Sequence, residues 1–106
     1  MNVFKDIPYN GNAMGHRKIV DEKHVLIMQI ALKPGQIVPG HTANSNVHLL
    51  ILKGSVTVNL NESEHRVNHG DVLPVAFKTS MSIENTGSED ATFLVIKTPN
   101  PSEMTK

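Results

Sequence analysis

The stretch Asn46-Val47-His48-Leu49-Leu50-Ile51-Leu52-Lys53, followed by Gly54 and then by Ser55-Val56-Thr57-Val58-Asn59-Leu60, decides the fold. The first segment is aliphatic at nearly every position and the second alternates with period two. The Lys53-Gly54 joint between them is hairpin chemistry. Runs of similar make recur along the chain. His16–Val20 is short, and His24–Lys33 is long and bounded by Pro34-Gly35. His65–Val67, Asp71–Val75, Met81–Glu84 and Ala91–Lys97 complete the set. They are rich in β-branched residues and separated by turn formers: Pro34-Gly35, Pro39-Gly40, Asn44–Asn46, Asn68–Asp71 and Asn85–Asp90. No window places apolar residues at i, i+3, i+4 and i+7 over the ten or so residues that a helix needs. Many short strands with regular turn signals predict an all-β sandwich or barrel with no substantial helix.

The chain has 106 residues, enough for one domain with a single core. It has no cysteine, which excludes disulfides, zinc–thiolate sites and iron–sulfur sites. Ten basic side chains balance ten acidic ones, which argues against electrostatic capture of nucleic acid or of an anionic membrane. With no Trp, one Tyr and three Phe, the core must be aliphatic. The apolar runs Val25–Leu32 and Val47–Leu52 fall far short of the ~20 residues that span a bilayer. Val3-Phe4 is too little for the apolar region of a signal peptide, so the chain reads as soluble and cytoplasmic. Residues 1–15 read as an N-terminal arm, 16–98 as the barrel and 99–106, with Pro99 and Pro101, as a flexible tail.

The stretch Pro34-Gly35-Gln36-Ile37-Val38-Pro39-Gly40-His41, with Leu50-Ile51-Leu52-Lys53-Gly54 beyond it, resembles the first motif of the cupin superfamily, G-x5-H-x-H-x3-4-E-x6-G. Gly35, His41 and Gly54 match. Gly70-Asp71 and Asn85 match the ends of the second motif, G-x5-P-x-G-x2-H-x3-N. Between them, Ser55–His69 has the length usual in small single-domain cupins. The resemblance covers roughly Lys33 to Lys97. It implies a double-stranded β-helix, also called a jelly-roll barrel: six to eight antiparallel strands in two sheets with an open end, commonly a dimer.

In metal-using cupins, two His and a Glu of the first motif and a His of the second hold a divalent ion inside the barrel. Carried over one at a time, the first His is His41. The second falls on Ala43, the Glu on Val47 and the last His on Met81; the Pro and Gly of the second motif fall on Ala76 and Lys78. One imidazole cannot outcompete a divalent ion's hydration shell, and catalytic sites usually keep three protein ligands. The replacements leave an aliphatic pocket with one polar anchor, suited to an organic ligand with an apolar body. His41, Ala43, Val47, Met81 and Asn85 are therefore the candidate ligand-binding residues, with no cofactor and no catalytic residue assigned.

His48 offers an alternative. With four residues in the variable gap, it takes the Glu slot, and His41 with His48, aided by the soft sulfur of Met81, would suit a transition metal. Strand parity opposes this: if Val47, Leu49 and Ile51 point inward, His48 points outward unless a bulge intervenes near Asn44–Asn46. Three functions follow from different classes. These are a non-catalytic small-molecule binder, a metal-dependent oxygenase or isomerase with a non-standard site, and an interaction module using its outer sheet. His65 and His69, which flank a turn, and the turn carboxylates Glu62, Glu64, Glu89 and Asp90 read as solvated, while His16 and His24 precede the main motifs and have no assigned partner.

The doubly apolar runs look covered on both faces, one by the barrel interior and the other by a partner. A homodimer is the expectation. Static light scattering at micromolar protein should report twice the chain mass, and a monomer there would remove it.

Overall fold

The computed structural model describes residues 1–104. Nine strands follow in order: β1 (Gly15–Glu22), β2 (Val25–Leu32), β3 (Ile37–Thr42), β4 (Asn46–Lys53), β5 (Ser55–Leu60), β6 (Ser63–Asn68), β7 (Val72–Val75), β8 (Ser80–Glu84) and β9 (Ala91–Thr98). One turn of helix, α1 (Pro101–Met104), comes after them. The strands form a five-stranded sheet in the order β1-β2-β9-β4-β7 and a four-stranded sheet in the order β3-β8-β5-β6, with every pairing antiparallel. This is the two-sheet barrel expected from the sequence, with nine strands rather than six to eight. Among the described residues no helix is long and apolar enough to cross a membrane.

Period-two alternation fills the barrel. On β4, Val47, Leu49 and Ile51 are buried, while His48 is exposed and Leu50 and Leu52 are half-buried. On β9, Phe93 and Val95 face the same interior, paired in register with Ile51 and Leu49. Val56, Val58, Met81 and Ile83 close the core from the other sheet. The core is aliphatic around one phenylalanine, as the composition requires.

One strand was hidden from the sequence. Pro39-Gly40 reads as a turn, yet both residues lie within β3. Pairing with β8 runs through Val38↔Ile83, breaks, and resumes at His41↔Met81. A proline lacks the ladder's donor and a glycine packs nothing, so a strand tolerates both only at an edge or a bulge. β3 supplies both conditions.

The two ends of the chain are held. Residues 1–14 run across β1 and β2 as an arm: Gln29 Nε2 donates to the Val3 carbonyl at 2.8 Å, and the Arg17 guanidinium donates to the carbonyls of Lys5 and Asp6. Residues 99–104, read as part of a flexible tail, are docked. The Asn100 amide N–H donates to the Lys23 carbonyl at 3.1 Å, and Asn100 Nδ2 donates to Asp21 Oδ1 at 2.7 Å and to the Glu22 carbonyl at 3.1 Å. The Ser45 hydroxyl donates to the Pro99 carbonyl. Residues 105 and 106 of that tail lie outside the described residues.

Two predictions follow from these contacts. At Gly54, φ is +75°, and a Cβ there would stand 2.6 Å from the Asp90 carbonyl oxygen; at Gly35, φ is +84° with open space around it. Gly35→Ala should cost the roughly 1–2 kcal/mol of the left-handed conformation alone. Gly54→Ala should cost distinctly more, read as the larger drop in urea midpoint. At Asp21, hydrogen bonds from Lys18 and Asn100, together with the Lys18 charge, hold the carboxyl below the ordinary carboxylate range. A lowered folded-state pKa means that this contribution is present above the unfolded pKa and is lost as pH falls through the folded one. Amide exchange at Asn100, corrected for its intrinsic rate, should therefore accelerate over that acid window, and Asp21→Asn should flatten the acceleration.

Candidate functional site

Between the sheets, at the end of the barrel where β3 passes to β4, the side chains leave a cavity of about 300 Å³. Its walls are aliphatic and thioether: Met28 and Ile30 from β2, Leu49 from β4, Ile83 from β8 and Val95 from β9. Met14, just before β1, adds a further thioether. Small side chains make the room. Ala43 and Val47 stand where longer donor-bearing residues would reach inward, and both are only 2% exposed.

Four of the five candidate ligand-binding residues, His41, Ala43, Val47 and Met81, come together on this cavity. Asn85 does not. It is fully buried as a structural pin: Nδ2 donates to the carbonyls of Leu32 and Glu89, both at 2.9 Å, and Oδ1 accepts the Gly87 N–H at 3.0 Å. Its backbone N–H donates to the Gln36 carbonyl, and its carbonyl accepts from Gly35 N–H. Asn85 thus ties the β2–β3 turn to the loop between β8 and β9.

His48 is also absent from the cavity. It is exposed, out of phase with Val47 and Leu49, and paired across the sheet with Pro74 and Ile96. The irregularity on β4 falls between Ile51 and Lys53, beyond His48, and so leaves its parity unchanged. His41 sits at the cavity rim and is exposed. Its Nδ1–H donates to the Pro39 carbonyl at 3.0 Å, because a carbonyl can only accept. In the neutral ring this leaves Nε2 as an acceptor.

The sequence reading passed over Lys97. It lines the cavity half-buried, with Nζ donating to Asn44 Oδ1 at 3.0 Å, and burial pushes its ammonium below the ordinary lysine value. Lys97 stands in register opposite Val47. The signal was available: Phe93, Val95 and Lys97 share one parity on β9, so once the first two point inward the third does as well.

The donor set fails the test for a metal. Of the four slots, only His41 carries a strong donor; Met81 offers at most a weak thioether, and Lys97 is a cation beside the Val47 slot. Among the described residues no three His, Cys, Asp or Glu side chains converge where they could hold an ion. The residues present do not fit a cupin divalent-ion site.

No family model matches the sequence. A curated, uncharacterised protein of Methanocaldococcus jannaschii is 39% identical over 88 residues, which cover 82% of this chain and 76% of the relative. The crystal structure of an RmlC-like cupin family protein with a double-stranded β-helix fold, from the same organism, superposes with a TM-score of 0.83 at 34% identity, over 92% of this chain and 93% of that one. The chain belongs to the RmlC-like cupin family. A predicted oxalate decarboxylase of Thermotoga maritima is similar too, with a TM-score of 0.74 and 26% identity over 81% of this chain and 80% of that one. The cupin double-stranded β-helix expected from the spacing of Gly35, His41, Gly54, Gly70 and Asn85 is therefore the fold.

His41 and Asn85 should part company on mutation. Asn85→Ala leaves the buried Leu32 carbonyl and the part-buried Glu89 carbonyl and Gly87 N–H without its amide, at roughly 1–3 kcal/mol for a buried group left unsatisfied, and should lower the denaturant midpoint sharply. His41→Ala at an exposed position should shift stability by about 0.5 kcal/mol or less, measured by the same urea titration.

Proposed function

We propose that this small cupin binds an organic ligand with an apolar body in the cavity between its sheets, without catalysis. The observation that carries this reading is the replacement of the family's inward donors by Ala43, Val47 and Met81 around a space of about 300 Å³. A pocket of that size, mostly apolar with few convergent polar groups, is the usual form of a small-molecule site. His41 at the rim supplies one hydrogen-bonding position. A metal-dependent reaction of the oxygenase, isomerase or oxalate type would need donors that these positions lack.

We also infer a second surface. The outward positions Leu50, Leu52, Leu94 and Ile96 are half-buried in the single chain, Leu50 lies opposite Leu94 in the β4–β9 ladder, and Val72 beside them on β7 is 57% exposed. This aliphatic face supports the homodimer, formed by packing one five-stranded sheet on its copy.

Calorimetric titration with 1-octanol tests the pocket. The wild-type protein should bind it, and at a hundredfold excess over Kd the ligand should stabilise the fold by about 2.7 kcal/mol. Ala43→Phe, which fills the space, should abolish both effects while circular dichroism stays that of a β-barrel. Binding of octanol that survives the filled cavity would place the ligand elsewhere and remove this reading.

A further inference from the structure

The cavity wall is almost wholly apolar, yet one cation reaches it. Lys97 is half-buried at that wall, and its only hydrogen-bond acceptor among the described residues is the neutral Asn44 side-chain oxygen, at 3.0 Å. Among the described residues no carboxylate stands within ion-pairing distance of Lys97; the pairs Lys18–Asp21 and His24–Glu22 lie on the surface at β1 and the turn after it. Among the described residues that line the cavity there is no acidic side chain. A half-buried ammonium held by a neutral amide has lost water on one side and has gained no opposite charge. Ordinary structural lysines avoid this by snorkelling to solvent or by pairing.

We propose that the ligand is an organic monoanion, a carboxylate on an apolar body, whose charge is met by the Lys97 ammonium. This rests on the pocket reading above and names the class of molecule that the pocket takes. Three features select that class. The apolar walls on Met28, Ile30 and Val95 call for a hydrocarbon or aromatic body rather than a sugar or a nucleotide. A single ammonium neutralises one negative charge and no more, so a phosphate dianion would stay under-compensated. Placement does the rest. Lys97 stands opposite the short Val47 in the β4–β9 ladder, and both line the cavity, so the positive centre adjoins the space that the small side chain leaves. Asn44, already bonded to Lys97 Nζ, has an amide N–H2 that can donate to the second carboxylate oxygen.

The test compares octanoate with 1-octanol, which share a hydrocarbon chain and differ in charge. By calorimetry at pH 7, the wild-type protein should bind octanoate at least tenfold more tightly than octanol. Lys97→Met should lose that preference while still binding octanol, and Lys97→Arg should restore a preference for the anion. Equal affinity of the wild-type protein for the two ligands would overturn the anion assignment while leaving the apolar pocket in place. So would an octanoate preference that survives Lys97→Met. Failure of both ligands to bind would remove the pocket reading and this one with it. Should Lys97→Met not fold, the wild-type comparison and the arginine variant still decide the question.

Discussion

The pairing of β4 with β9 is the constraint on which the rest of the molecule depends. Val47, Leu49 and Ile51 stand opposite Lys97, Val95 and Phe93, and all six share one side of the five-stranded sheet. A slip of one residue in β9 would carry Phe93 out to solvent and bring Leu94 in, and a slip in β4 would exchange Leu49 for Leu50. The same register sets the cavity's chemistry. It places the small Val47 beside the long Lys97, so that space and charge occur at one spot. His48, one position along, is committed by the same periodicity to the outside.

Among the described residues the fully buried polar side chains are few, and they join segments distant in sequence; the buried Tyr9 hydroxyl is the exception, with no hydrogen-bond partner among those residues. Gln29 is completely buried on the outer side of β2. Its Nε2 donates to the Thr92 hydroxyl and to the Val3 carbonyl, and its Oε1 accepts from Arg17. Thr92 passes its own hydrogen on to the Ile30 carbonyl. Buried groups of this kind are costly only when unpaired. Here their pairing fastens the N-terminal arm to the sheet. Asn85 holds the Leu32 end of β2, and Asn100 holds the β1–β2 turn at the other end. The barrel is closed by hydrophobic alternation and pinned at its ends by amides.

Much of the fold was legible in the sequence, because aliphatic runs of period two and glycine-bearing turns are local signals. What escaped was non-local. β3 was hidden because Pro39 and Gly40 mark a turn by composition, and only the partner strand β8 makes them a bulge. The docking of residues 99–104 rests on Asn100 reaching Asp21, a contact between opposite ends of the chain that no window contains. For the site, the slot-by-slot reading placed His41, Ala43, Val47 and Met81 on one cavity because strand spacing carries them there. It failed for Asn85, whose side chain satisfies backbone groups rather than facing the interior. Lys97 was missed because the resemblance assigns it no slot; its parity with Phe93 and Val95 was the only clue.

The two prolines within strands have a bearing on how copies of this chain can meet. Pro39 lies in β3, an outermost strand of the four-stranded sheet, and Pro74 lies in β7, an outermost strand of the five-stranded one. Each removes a backbone donor from a row of groups that an incoming strand would use to extend the sheet, and the bulge in β3 further spoils the template. With a formal charge of zero, the chain has little electrostatic repulsion to keep copies apart. Steric and hydrogen-bonding safeguards take over that task along two of its borders. Runaway, amyloid-like growth through those borders is thereby discouraged, and association is channelled toward contacts between side chains.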